Sequence, residues 1–322
     1  MQTLQTEILV IGGGSTGVGV LRDLAMRGFD AILVEKNQLN EGTTGRYHGL
    51  LHSGGRYAVS DPEAARECIQ ENRILRTIMG HALDDTGGFF VTAPGDDTDF
   101  IDTWLAGCAD NGVPTQAVPI AQMLKEEPAL NPKISHAFWV PDAASYSGKA
   151  TDATVASAYE YGGQVLARHE VGKLLRDNGR VTGAVCRDLE AQSDITIYAD
   201  MVINATGAVA NRIAALAGIE VSIIPGKGSM VAVGHLPLNT VVNRLRPSGD
   251  GDIIVPLYGE AAVGTTDSEI ENPEEFGVTA REIELMLQAG EEVMPGFACA
   301  PNMRAWAGVR PLFPADGDGG AQ

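Results

Sequence analysis

Residues 7–36 read EILVIGGGSTGVGVLRDLAMRGFDAILVEK, and the fold turns on how this stretch is read. Residues 8–11 are an apolar, β-branched run, which predicts a buried strand. Gly12-Gly13-Gly14-Ser15-Thr16-Gly17 follows at once and fits Gly-x-Gly-x-x-Gly. A helical pattern comes next, with Val18, Leu21, Leu24 and Ala25 on one face and Gly28 closing it. Residues 31–34 are a second apolar strand ending at Glu35, with Lys36 next to it. In such a unit Gly12 allows the tight turn, Gly14 lets a pyrophosphate approach the backbone, and Gly17 lets the helix pack close to the strand. The helix start at Ser15 and Thr16 offers free N–H groups and positive partial charge to the phosphates. Glu35, about 18 residues beyond Gly17, suits the ribose hydroxyls. The unit therefore predicts a dinucleotide. An acid at Glu35 disfavours a 2′-phosphate and so NADP, while NAD and FAD both remain.

The composition narrows the class further. With 322 residues and 44% hydrophobic content, the chain has material for one large or two modest domains with a real core. The net charge of −19, from 42 acids against 23 bases, argues against nucleic acid as a partner. Six of those bases are Lys. That balance suits either a protein kept soluble at high salt or an ordinary acidic cytosolic enzyme. No segment approaches the roughly 18 consecutive apolar residues of a membrane span. No signal peptide is expected, because the dinucleotide strand starts by residue 8 without a basic region before it. Cys68, Cys108, Cys186 and Cys299 are far apart and encode no metal site by spacing, so free thiols in a reducing compartment are expected.

Residues 40–57 decide the cofactor. They contain Gly42-Thr43-Thr44-Gly45-Arg46, then His48-Gly49-Leu50-Leu51-His52-Ser53-Gly54, then Arg56-Tyr57. A plain connection is usually about 4–6 residues long, and longer ones tend to be functional. This stretch resembles the flavin-contacting segment of FAD-dependent glycerol-3-phosphate dehydrogenases, most closely the large subunit of the anaerobic enzyme. The resemblance implies that Thr43, Thr44, Gly45, Arg46, His48, Gly49, Leu50, His52, Ser53 and Gly54 contact FAD. It implies that Val171 meets the adenine through its backbone. Asn204-Ala205-Thr206-Gly207 resembles the second FAD fingerprint of two-dinucleotide flavoproteins.

Further along, helices are predicted over 61–79, from 96, over 150–160 and over 279–293, the last opened by a Thr279/Glu282 capping box. Strands are predicted over 88–93, 137–140, 164–171, 181–185, 195–198 and 200–205. From about residue 223, strands without intervening helices predict an antiparallel sheet. The expected fold is α/β: a discontinuous Rossmann-type FAD-binding domain (1–80, 140–222, 300–322) with a second, antiparallel-sheet substrate domain (81–139, 223–299).

For a phosphorylated alcohol, guanidinium clamps are the first groups to seek. Arg56 and Arg310 match substrate-site arginines of the resembling family. Tyr57 either bonds substrate or packs, and Lys227 either helps hold phosphate or is an ordinary exposed residue. Aerobic relatives carry a His after Lys-Gly-Ser, where this chain has Met230, which transfers no proton. His235 is read as solvated, and His81, His136 and His169 as structural. The resemblance implies oxidation of sn-glycerol 3-phosphate to dihydroxyacetone phosphate, with electrons leaving to a quinone through electron-transfer and membrane-anchor subunits. It implies a cytoplasmic chain, peripheral on the cytoplasmic face of the cell membrane. It stops near Leu312, ahead of a further substrate Arg and a Gly-Gly-Lys segment of the family, so a truncated chain is expected. Two alternatives stay open: an amino-acid or 2-hydroxy-acid oxidase of the same superfamily, and a non-catalytic flavin-binding fragment.

Overall fold

Gln2–Ile11, Ser15–Met26 and Ala31–Glu35 are the strand, helix and strand expected from residues 7–36. The computed structural model describes residues 2–314, so the Gly- and Asp-rich tail at 315–322 lies outside the described residues. Gln2–Ile11 runs parallel to Ala31–Glu35, with Ile11 opposite Val34. On its other side it runs parallel to Ser193–Asn204, with Ile11 opposite Asn204. The six-stranded sheet has the order His169–Asp177, Arg180–Asp188, Ser193–Asn204, Gln2–Ile11, Ala31–Glu35, Gln164–Ala167. Its central strands are covered on both faces, which is why they are apolar without alternation. Ile8, Val10, Ala31 and Leu33 pack on Val18 and Leu21 of the first helix and on Val155 and Ala158 of helix Ser147–Glu160. Leu9, Ile11, Ile32 and Val34 pack with Leu174, Ala184, Ile195 and Ile197 of the adjoining meander. Each large aliphatic chain buried in this way contributes about 1.5–3 kcal/mol.

The second sheet has nine strands. Ile224–Val233 pairs antiparallel with Glu260–Gly264 and Arg304–Leu312. Ile253–Leu257 and Val241–Arg244 extend the sheet to Gly88–Val91 and Ala137–Val140. One pairing, Val241–Arg244 with Gly88–Val91, is parallel. Helix Ala280–Val293 closes one face with Met286, Ala289 and Val293, and Thr279 and Glu282 form the expected capping box.

Several boundaries differ from the sequence reading, each for a physical reason. The helix expected from residue 96 begins at Phe100, because Asp96 is held by Arg244 and accepts the Ala93 N–H at 2.9 Å. The strand expected over 164–171 is two strands, Gln164–Ala167 and His169–Asp177, broken at Arg168 with φ 61°. The two expected runs 195–198 and 200–205 are one strand, Ser193–Asn204. The sequence boundaries put 300–322 with the FAD segments. Arg304–Leu312 bonds along Ile224–Val233, from Ile224 opposite Leu312 to Ala232 opposite Arg304. That strand is also a seam to the first part of the chain. Thr43 Oγ1 donates to Val309 O at 2.5 Å, and Trp306 Nε1 donates to Arg46 O at 3.0 Å.

Candidate functional site

The carboxyl ends of Gln2–Ile11, Ala31–Glu35 and Ser193–Asn204 lie side by side, the place where open α/β sheets bind ligands. A cleft of about 1410 Å³ opens there, larger than the roughly 300–1,000 Å³ of ordinary small-molecule pockets. The glycine motif shapes its floor. Gly12 has φ +111°, and a Cβ on it would lie 2.4 Å from Ala205 O. A Cβ on Gly17 would lie 1.8 Å from Gly12 O, so only glycine brings this helix so close to its strand. Gly14 and the start of helix Ser15–Met26 face the cleft. Ser15 N donates to Thr44 Oγ1 at 3.0 Å, and Thr16 and Gly17 N–H have no acceptor among the described residues. Glu35 accepts from Gly13 N at 2.7 Å and from Asn37 N at 2.8 Å, which fixes its carboxylate at the cleft wall.

Of the residues expected at the cofactor, the cleft gathers Gly12, Gly14, Ser15, Thr16, Glu35, Lys36, Thr43, Thr44, Arg46, Leu50, Val171, Ala205, Thr206 and Gly207. Others shape the protein beside it. Gly17 packs on Gly12 as described, and Gly45, Gly49 and Gly54 pack on Asn40 O, Leu257 and Ala65 O. Ser53 is buried and donates its N–H to Asp142 Oδ1 at 2.7 Å. Lys36 pairs with Glu274, which also pairs with Arg212.

Next to the cleft lies a second cluster. Tyr47, His48, His52 and Tyr57 form a row, with ring centroids 6.4, 6.4 and 5.3 Å apart. His48 is buried, and its Nδ1 has no partner among the described residues. Burial, His52 and the Arg310 and Arg56 guanidinium groups bring its imidazole down to about 3. Burial and Arg56 bring His52 down to about 4. Both rings are therefore neutral near pH 7. Burial raises the Tyr57 phenol. Arg56 bonds Asp252, Gly251 beside it donates to Thr265 O at 3.2 Å, Thr265 Oγ1 anchors Arg310, and His48 approaches Gly264 next to Thr265, so the fold draws Arg56, Arg310 and His48 toward one place from distant parts of the chain.

Lys227 is not an exposed lysine. Its Nζ donates to Glu282 at 2.8 Å and to Gly277 O at 3.1 Å, with 9% of the side chain exposed. Its charge is paired with Glu282, which removes the exposed-residue alternative. Met230 is buried against Gly264, and His48 approaches the same glycine. His235 is exposed, as expected. The sequence reading missed Asp252, which has no exposed side-chain surface and pairs with both Arg56 and Arg246. Its bonds to Arg246 and Gly249 are local, but the partner that matters here, Arg56, arrives through tertiary packing.

The model of the FAD dependent oxidoreductase family matches residues 7–320. The anaerobic glycerol-3-phosphate dehydrogenase subunit A1 of Haloferax volcanii is 44% identical, with 97% of this chain and 55% of that protein covered. The chain thus spans about half the length of that relative. Two solved structures share the fold. The L-proline dehydrogenase of P. horikoshii has a TM-score of 0.80 at 24% identity, over 97% of this chain and 83% of that one. The glycerol-3-phosphate dehydrogenase of Bacillus halodurans, complexed with FAD, has a TM-score of 0.76 at 24% identity, over 96% of this chain and 57% of that one. The cleft at the carboxyl ends of the strands fits FAD: a glycine floor that side chains would obstruct, free N–H groups at a helix start, and a fixed carboxylate at Glu35.

Proposed function

The chain belongs to the FAD dependent oxidoreductase family, and on that premise we propose that it carries the flavin and substrate sites of a quinone-linked glycerol-3-phosphate dehydrogenase. Gly12, Gly14, Ser15 and Thr16 would hold the pyrophosphate and Glu35 the ribose, with Val171, Ala205, Thr206 and Gly207 lining the same cleft. Bound FAD supplies the hydride acceptor. The observation that carries the substrate reading is that the loop bonding Arg56 through Asp252 also bonds Thr265, the anchor of Arg310, near the row of His48, His52 and Tyr57. Guanidinium groups match phosphate geometry, and two of them suit a phosphorylated alcohol better than a single carboxylate.

Oxidation at C2 removes a hydride from carbon and a proton from its hydroxyl, giving dihydroxyacetone phosphate. Arg56 and Arg310 orient the phosphate. The neutral imidazoles of His48 and His52 offer lone pairs for the hydroxyl proton, which Met230 does not. Tyr57 packs against His52 and closes that side. The similarity to a subunit A1 supports a multi-subunit arrangement, in which electrons pass to a quinone through electron-transfer and membrane-anchor subunits. No helix among the described residues is long and apolar enough to cross a membrane, which suits a peripheral place on the cytoplasmic face.

The test is an absorption spectrum of the chain with FAD, in high salt and without oxygen, before and after adding glycerol 3-phosphate. Loss of the flavin band near roughly 450 nm supports the reading, because hydride transfer to bound flavin bleaches it. A band that persists with glycerol 3-phosphate but bleaches with an amino acid or 2-hydroxy acid would replace this substrate. A band that persists with all of them would leave a flavin-binding chain without this activity.

A further inference from the structure

Arg56 and Arg310 have carboxylate partners of opposite construction. The Asp252 carboxylate has no exposed side-chain surface. It accepts from Arg56 Nη1 at 2.8 Å, Arg246 Nε at 2.8 Å and Gly249 N at 2.6 Å. Gly249 O takes a further bond from Arg56 Nη2 at 3.0 Å. The loop at 246–252 thus closes on its own carboxylate and grips one guanidinium from two sides. Arg310 pairs with Asp267 at 3.2 Å, and here the side chains are 36% and 71% exposed. Arg310 has a second anchor in Thr265 Oγ1, so it does not depend on Asp267 for its position.

We propose that Asp252 is the positioning residue that presets Arg56, and that Asp267 is an exchangeable counterion on Arg310 whose place the substrate's phosphate takes. This rests on the substrate reading above. A buried, multiply bonded carboxylate is costly to detach, whereas an exposed pair is screened and exchanges readily with solvent ions. A phosphate carries more charge than a carboxylate and offers more oxygens to a planar guanidinium, so it is the stronger partner for Arg310. The charge balance gives the exchange a purpose. Asp252 pairs with Arg56 and Arg246, Asp267 pairs with Arg310, and Asp250 feels the charges of both other acids and of Arg310. Arg310 therefore has no uncompensated charge until Asp267 swings into water. The anion site is then held closed to weak anions and opened by a strong one.

The experiment compares the FAD-loaded chain with its D267N and D252N variants. Calorimetry measures the Kd for inorganic phosphate, and anaerobic bleaching measures the response to glycerol 3-phosphate. The expected result is a phosphate Kd about two- to fivefold lower in D267N, the range that an exposed pair is worth. In D252N it is at least about tenfold higher, as when a buried charge pair at a binding site is cut. FAD content and melting temperature of D267N stay at the wild-type values, which a purely structural salt bridge would not predict together with tighter anion binding. Equal phosphate affinity in D267N and wild type, or no phosphate binding by the wild type, overturns the proposal. If D252N fails to fold, D267N decides alone. The expected phosphate ratios without bleaching by glycerol 3-phosphate would refute the substrate reading and leave the anion exchange standing.

Discussion

Replacing Lys227 by Met separates a structural lysine from a substrate ligand. Burial by itself would raise the Glu282 carboxyl. The bonds from Lys227 Nζ and from Thr279 outweigh it and bring the carboxyl down to about 2 from its ordinary 4.5. A carboxyl lower in the folded than in the unfolded chain adds stability that is full above pH 4.5 and is lost as the pH falls through 2. At about 1.4 kcal/mol for each pH unit between those two values, the contribution near pH 7 is about 3 kcal/mol. The Thr279 capping interactions survive in K227M and hold about 1 kcal/mol of it. About 2 kcal/mol then belongs to Lys227 and should be lost from K227M near neutral pH. Urea unfolding at pH 7 and pH 3 measures this, and the gap between wild type and variant should shrink by about half at the lower pH. A K227M protein with an unchanged urea midpoint and a KM for glycerol 3-phosphate raised tenfold or more would refute the reasoning and return Lys227 to the substrate.

Three other outcomes are expected. In G17A the new Cβ would sit 1.8 Å from Gly12 O, so the helix start must move by more than about 1 Å, at about 1–3 kcal/mol. FAD affinity should fall with it. G19A, which meets nothing within 4 Å, should instead gain up to about 1 kcal/mol in urea unfolding, and a G17A chain that matched it in stability would contradict the packing account. His48 and His52 lie near 3 and 4 against an ordinary 6.5. Their stability contribution is present above pH 6.5 and lost below it, at about 1.4 kcal/mol per pH unit for each ring. A drop in urea midpoint between pH 7.5 and 5.5 checks this, and ring protons titrating near 6.5 by NMR would overturn it. Cys299 is exposed, while burial pushes the Cys108 and Cys186 thiols up to about 12. A thiol reagent should therefore modify Cys299 rapidly in the native chain and reach the other two only after unfolding.

Much of the fold was legible in the sequence because it is written locally. The glycines at 12, 14 and 17, the apolar runs around them and the acid at 35 form one continuous βαβ unit. Its strands, helix and close helix packing need mostly neighbouring residues, and the structure keeps them as read. The helix over Pro62–Ile78 was equally plain, since Asp61 caps it and Pro62 opens it. The capping box at Thr279 is a three-residue signal. The parts that were missed are non-local. Arg304–Leu312 was not read as a strand, and its pairing with Ile224–Val233 follows from the open edge that strand offers.

The division within the site is the same. Residue types and spacing alone predicted a dinucleotide site, and the family resemblance nominated Arg56, Tyr57 and Arg310. Which charges those arginines face was decided only in three dimensions. Asp252, just before strand Ile253–Leu257, reaches Arg56, and Asp267 reaches Arg310. Of the two readings of Lys227, the exposed one fails because the packing of helix Ala280–Val293 brings Glu282 onto it. A turn or a cap is determined by residues a few positions apart. A buried ion pair is determined by where two distant segments stop, and side-chain packing sets that, not the pattern along the chain.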